Sequence, residues 1–218
     1  MKLIGRMILF IMVAGLSMYP AIIGCDDGKK NSNTLMSMLL LLNSYTPDKI
    51  YIYDGGTNDG YLGNRASADS LCQTAAGGFA ALSGKSVKKA FISFSSTDQI
   101  KDLVVPTYRT LPVYGLKSNG TYTLLKDTWN NLWNLTGINA KLGDATGITF
   151  NWWSGSDASG NFTSSNQTCL QWTCNASPCS TPADGRGGNY DLSNNPDWIS
   201  LWAGGCTDNS WHIMCVAY

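Results

Sequence analysis

"WWSGSDASGNFTSSNQTCLQWTC", residues 152–174, sets two adjacent tryptophans before a run of small polar residues that ends in Cys-x-x-Trp-x-Cys. The stretch reads either as a loop that grips a ligand or as a knot that holds a surface together. Gly155, Asp157 and Gly160 carry turn chemistry: glycine reaches positive φ without a steric penalty, and an Asp carboxylate takes backbone N–H groups a few residues on. Residues 154–167 are therefore expected to form a turn-bearing loop. Trp153 and Trp172 are expected to pack across a sheet and a bridge at Cys169. The knot is the better reading.

A knot of this kind needs an oxidising compartment, and the start of the chain supplies one. "MKLIGRMILFIMVAGLSMYPAIIGC" has Lys2 and Arg6 ahead of an apolar run at residues 7–19. That run is shorter than the about 20 residues a membrane span needs and has the layout of a secretory signal. Ile22, Ile23, Gly24 and Cys25 then resemble the lipobox of bacterial lipoproteins. In that family the signal is cut before the Cys, and its thiol and new amino group are acylated. Residues 1–24 are thus expected to be a signal peptide. Residues 25–48 would hold the lipidated Cys25, a polar tether and an apolar run at 35–42, either a helix near the membrane or the first core element. Acyl chains anchor at about 0.8 kcal/mol per buried methylene, with no need of a transmembrane helix.

Lipidation of Cys25 leaves six of the seven cysteines: Cys72, Cys169, Cys174, Cys179, Cys206 and Cys215. An even set in an exported domain reads as three disulfides, although six cysteines allow about 15 pairings. No Cys-x-x-Cys pair is present and His212 is the one histidine, so no zinc site and no cofactor are expected.

Composition narrows the function classes. Removing Lys2 and Arg6 with the signal from the 15 basic residues leaves 13 against 15 acidic ones, a formal charge of −2. That balance argues against nucleic acid, which favours a concentrated basic surface. Lys85, Lys88 and Lys89 read as a solvated helix end or loop. Every acidic residue is Asp, and eight Trp are spread through a Gly-, Ser-, Thr- and Asn-rich chain, the composition of a loop-rich, stapled extracellular domain.

Period-2 and period-3.6 patterns place the elements. Strands are expected at 49–56, 88–96, around Trp152 and Trp153, and over 211–218 as the edge of the sheet. A helix is expected at 65–76 with Ala66, Asp69, Leu71 and Cys72 on its inner face. A second helix is expected at 96–104, capped by Ser96 or Thr97. Trp129, Leu132 and Trp133 fall at helical spacing and read as core. The fold class is α+β, with a mixed, mostly antiparallel sheet, short helices and long stapled loops over residues 49–218.

In order, "GYLGNRASADSLCQTAA", "KAFISFSSTDQIKDL", "WSGSDASGNFTSSNQTCLQWT" and a Cys ahead of "WHIMCVAY" resemble the endostatin domain of collagens. They are similar to the leptospiral endostatin-like surface lipoproteins as well. The resemblance covers residues 50–218 and implies a C-type lectin-like fold. It implies Cys72–Cys215 and Cys169–Cys206 bridges, which leave Cys174 and Cys179 for each other.

The chain lacks most of the groups that the known activities of such folds need. Calcium-dependent sugar binding in C-type lectins uses a Glu-Pro-Asn or Gln-Pro-Asp set plus Trp-Asn-Asp. This chain has no Glu, its "NNPDW" at 194–198 lies beyond Cys169, and "WAGG" precedes Cys206, so six to eight calcium oxygens cannot be assembled. The zinc and heparin sites of endostatin need N-terminal histidines and an arginine face. The mature chain offers only Arg65, Arg109 and Arg186. His212, Ser210 and Asp208 stand within five positions and cannot converge as a triad, so no catalytic residues are expected.

What the resemblance implies is an adhesin lipid-anchored in a bacterial outer membrane. It would bind host laminin, fibronectin, plasminogen or complement regulators such as factor H, for attachment and complement evasion. The stapled loops at 174–179 and 184–195 would present the contacts, with Tyr190, Trp198 and Trp202 as candidate anchors, although core packing is the commoner use of each. A glycan-binding module and a structural lipoprotein without a host ligand are the alternatives. The lipobox reading has a direct test: in the native host, Cys25→Ser is expected to abolish incorporation of labelled palmitate. Unchanged labelling would refute it.

Overall fold

The last strand of the chain is the centre of the sheet. In the computed structural model, which describes residues 47–174 and 184–218, eight strands form one sheet. They are β1 (Ile50–Thr57), β2 (Lys88–Ala90), β3 (Val113–Leu116), β4 (Tyr122–Lys126), β5 (Trp152–Trp153), β6 (Asp184–Gly188), β7 (Trp202–Gly205) and β8 (His212–Ala217). The order is β4-β3-β1-β8-β5-β6-β7, with β2 also on β8. The β1/β3 and β5/β8 pairs are parallel and the others antiparallel.

The expected edge strand at 211–218 is thus corrected. β8 has β1 along one side, and β2 then β5 along the other. Every residue of β8 is buried, which is why "HIMCVA" lacks the polar alternation of a strand with one wet face. Ile213, Cys215 and Ala217 enter one core with Tyr51, Tyr53, Trp153 and Trp172. Met214 and Val216 enter the other with Ile50, Ile52, Phe91, Trp129 and Trp152.

Helix α1 (Arg65–Ala75) closes the first core. Asn64 caps it by accepting the Ser67 N–H at 3.0 Å, replacing a donor bond the first turn cannot make itself. The inner face is Ala68, Cys72 and Ala76, one turn apart; Ala66, expected there, is exposed. Two short helical pieces lie elsewhere, α2 (Leu142–Thr146) and α3 (Asp197–Ser200).

Two expected elements are shorter than their patterns, and one side chain explains both. Arg65 donates to the carbonyls of Ala90 at 2.7 Å and Ile92 at 2.6 Å, and forks onto the Asp98 carboxylate at 2.9 and 2.8 Å. Its guanidinium lies 4.6 Å from the Phe94 ring centroid. These charge-assisted bonds pull the chain out of the sheet after Ala90. Phe91, Ile92, Ser93 and Phe94 stay buried but irregular, so the strand expected to run to residue 96 ends six residues early. Asp98, drawn to Arg65, closes a tight turn with Ser95. The helix expected at 96–104 is reduced to a single 3-10 turn, Ile100–Asp102. The helical spacing of Trp129, Leu132 and Trp133 resolves into a short 3-10 turn at Asn130–Trp133, with Trp129 and Leu132 fully buried.

The quoted stretch folds as a knot. Gly155 (φ 60°) and Gly160 (φ 73°) take left-handed backbone. The Asp157 Oδ1 accepts the Ser159 and Asn161 N–H groups, each at 2.9 Å. Trp153 and Trp172 are buried in a T-shaped pair 5.9 Å apart. Trp172 donates to the Ser93 carbonyl at 2.8 Å. Cys169 to Trp172 form one left-handed turn, with φ of 48°, 54°, 59° and 63°. Disulfides join Cys72 to Cys215 and Cys169 to Cys206, the pairs that the resemblance implies. The first spans 143 residues, and in the chain-entropy account a loop of that length contributes about 4–5 kcal/mol. Cys174 is disulfide-bonded too, while Cys179 lies outside the described residues, as do Cys25 and the apolar run at 35–42.

Left-handed backbone costs a non-glycine residue about 1–2 kcal/mol. Gln171 is exposed at the crown of the turn, so its side chain gives little packing in return. Gln171→Gly is therefore expected to stabilise the domain by about 1 kcal/mol, the relief of strain exceeding the entropy lost by a glycine. A urea-unfolding midpoint that stays put or falls would show that the turn is not under that strain.

Candidate functional site: a tyrosine–lysine face on the outer strands

The sequence-predicted anchors do not gather on one surface. Trp198 is 0 % exposed and stacks on Trp152 at 6.2 Å, so it belongs to the core and cannot anchor a partner from the surface. Tyr190 is half-buried against the same core. Trp202 lies on β7, and its side chain falls outside the described part of the structure. The expected exposed loop at 184–195 begins as strand β6, with Gly185, Gly187 and Gly188 buried. Its exposed positions are Asp184, Asp191 and Asn194.

The polar residues near the terminal strand are engaged separately. His212 Nδ1 lies 2.9 Å from Asp54 Oδ1. Asp208 accepts from the Ser210 hydroxyl at 2.6 Å, from its N–H at 2.9 Å, and from the Trp211 indole at 3.1 Å. The Ser210 bonds hold the Asp208 carboxyl below the usual carboxylate range. Among the described residues no three His, Cys or acidic side chains gather as a metal site, and no helix is long and apolar enough to cross a membrane.

A tyrosine cluster lies on the other half of the sheet, with Tyr122 exposed, Tyr114 half-buried and Tyr51 buried. Register puts Tyr51 opposite Tyr114 and Tyr114 opposite Leu124, with Leu116 opposite Tyr122 one row on. Alternation sends these side chains to one face. Tyr122 is 52 % and Leu124 38 % exposed. Tyr122 meets Tyr51 edge-on at 6.1 Å and Tyr114 at 5.3 Å.

Two ammonium groups complete this face. Lys49 Nζ stands 5.1 Å from the Tyr122 centroid and 5.9 Å from that of Tyr114, and Lys85 Nζ 5.5 Å from Tyr51. Cations over the negative faces of these rings fix both partners. Asp48 reaches Lys49 at 3.1 Å and Lys85 at 3.6 Å. Its hydrogen bond raises the pKa of Lys49. For Asp48, burial opposes ionisation, but the hydrogen bonds from Lys49 and its own backbone, with the charges of Lys49 and Lys85, outweigh it. Lys85 is buried, which corrects the solvated reading for that member of the cluster at Lys85, Lys88 and Lys89: its ammonium lies over the Tyr51 ring and beside Asp48. The motif was written in the sequence as "KIYIY" and "VYG…TYTLL", but only pairing register shows that the tyrosines meet.

Burial pushes the Tyr53, Tyr51 and Tyr218 phenols above the ordinary value of 10, most strongly Tyr53, to which the Asp69 charge adds. Tyr53 is fully buried and donates to the Cys72 carbonyl at 2.8 Å. A raised phenol pKa means that the unfolded chain loses its protons first. The stability is complete below pH 10 and is lost as pH rises through the folded values. Urea midpoints are expected to hold steady to about pH 9 and to fall steeply by about pH 11, with Tyr53→Phe reducing the fall. An equal fall in that variant would remove Tyr53 from the account.

Comparison with known proteins gives no match to a family model and none to a curated protein.

Proposed function

We propose that this chain is a surface lipoprotein adhesin of endostatin-like, C-type lectin-like fold, held outside a bacterial cell by acyl chains on Cys25. It would bind host extracellular-matrix and plasma proteins non-covalently. The observation that carries the reading is the tyrosine–lysine face of β1, β3 and β4. Partly exposed tyrosines offer large, rigid, amphipathic contact area at little entropy cost, and they are the side chains enriched at protein interfaces. Here their rotamers are already fixed by Lys49, Lys85 and each other, so little ordering remains to be done on binding. The bridge pairs Cys72–Cys215 and Cys169–Cys206 support the fold assignment. The contact surface proposed here lies on the outer strands rather than on the loops at 174–179 and 184–195 expected from sequence.

The reading is tested with residues 26–218, oxidised and unlipidated, on immobilised laminin, fibronectin, plasminogen and factor H, with and without EDTA. Saturable binding to at least one, indifferent to EDTA, is expected. Tyr122→Ala with Leu124→Ala should weaken it about tenfold or more. Absence of saturable binding to all four would end the adhesin reading, and an unaffected double variant would move the contact face elsewhere.

A further inference from the structure

We infer that Lys101 and Asn161 are the two halves of a self-forming isopeptide bond, with Asp157 as the group that moves the proton. Lys101 Nζ donates to Asn161 Oδ1 at 2.6 Å. A carbonyl carbon lies about 1.2 Å from its oxygen, so the amine is at most about 3.8 Å from Cγ. That is close to the about 3–3.5 Å of a near-attack arrangement. At the other end of the same amide, Asn161 Nδ2 donates to both Asp157 oxygens, at 3.3 and 3.0 Å. A nucleophile thus stands beside the carbonyl and a carboxylate beside the leaving nitrogen. The inference does not rest on the adhesin reading.

Backbone contacts hold all three groups. Lys101 belongs to the 3-10 turn Ile100–Asp102. Its N–H donates to the Gly160 carbonyl at 3.4 Å, and its own carbonyl accepts the Trp129 indole N–H at 2.8 Å. The Phe162 N–H donates to Gln99 Oε1 at 3.2 Å, so the two segments are clasped on both sides of the pair. Gly160 permits the approach, because a Cβ there would lie 3.1 Å from the Lys101 Cβ and 2.5 Å from the Trp133 ring. The Asp157 Oδ1 is occupied by the Ser159 and Asn161 N–H groups, which leaves Oδ2 for the amide. Asn131 offers a comparison within the molecule. Its Nδ2 donates to both Asp127 oxygens, at 3.1 and 3.0 Å, but no amine reaches its Oδ1 among the described residues.

The step balances without a co-reactant. The Lys101 ammonium first gives one proton to water. The Nζ lone pair then forms a bond to Asn161 Cγ, and a second Nζ proton passes to Nδ2 by way of the Asp157 carboxylate. The Cγ–Nδ2 bond breaks with its electron pair, and ammonia leaves. Nothing is oxidised or reduced. An adjacent base is what makes a lysine amine a competent nucleophile. The product ties together two segments 60 residues apart, by a bond that reductants do not cut.

The test is peptide mapping by mass spectrometry of the reduced full-length protein, after incubation of the folded chain in detergent. A branched fragment joining Lys101 to Asn161, lighter than its two parts by one ammonia, is expected. Trypsin should no longer cut after Lys101, and Asn131 should be unchanged. Lys101→Arg keeps a donor for Asn161 but lacks an amine that can attack, so it should fold, stay unlinked and melt below the linked protein. Asp157→Asn keeps an acceptor for the turn and should slow linkage about a hundredfold or more, as loss of a positioned proton-transfer group implies. A cooperative thermal transition checks that each sample is folded. Separate Lys101 and Asn161 peptides from the folded wild-type chain would overturn the inference. Ammonia lost by closure of Asn161 on its own backbone would do so too, as would an equal rate of linkage in Asp157→Asn.

Discussion

Half of this sheet exists because indole rings occupy the space where its strands have no side chains. β6 reads Asp-Gly-Arg-Gly-Gly and β7 Trp-Ala-Gly-Gly, sequences with little intrinsic preference for a strand. A Cβ on Gly185 would strike the Trp153 ring, on Gly187 or Gly204 the Trp211 ring, and on Gly188 the Trp198 backbone and the Trp152 indole. Trp153 and Trp211 stack at 4.2 Å and 19° directly over these strands. Aromatic burial supplies the stability that the glycine backbone lacks, and the glycine backbone is what lets the rings lie that close. Neither half of the arrangement would persist with the other altered.

The two faces of β8 pass this constraint to the rest of the molecule. On one side Trp153, Trp172 and Cys215 share a core with α1. On the other, Trp152 stacks on Phe91 at 5.5 Å and 20° and leads to Trp129. The tyrosines of β1 and β3 are held at the far end of the same strands, so the exposed face on β4 inherits its rigidity from the tryptophan core. Trp133 and Trp198 have buried indole N–H groups that find no partner among the described residues, at the point where the second core is most densely aromatic.

Sequence reading succeeded where a signal was local and stated by residue type. The helical spacing of apolar residues over 65–76 marked α1. Gly155, Asp157 and Gly160 marked a turn-bearing loop, and the alternation around Tyr51 and Tyr53 marked β1. It failed where a distant side chain decides. Nothing between Lys88 and Val104 announces that Arg65 will take the carbonyls of Ala90 and Ile92 and the carboxylate of Asp98. Glycine-rich β6 has no strand signal, because its partner atoms come from Trp153 and Trp211. Trp198 could be read as an anchor or as core, and only its stacking partner, Trp152, decides for the core. The meeting of Tyr51, Tyr114 and Tyr122 depends on the register of the parallel β1/β3 and antiparallel β3/β4 pairs, which composition does not encode.

The central place of β8 also has a consequence in time. It follows every other strand in the order of synthesis, yet β1, β2 and β5 all pair with it. Until residues 212–217 have appeared, those three strands lack their common neighbour, and Cys72 waits across 143 residues for its thiol partner. Contacts this distant along the chain close slowly. The N-terminal part of the domain therefore has no finished structure to adopt while the remainder is being made. For a chain exported as proposed, that delay keeps the polypeptide threadable through a membrane. It also postpones the covalent closure until the strand that completes the sheet has arrived on the oxidising side.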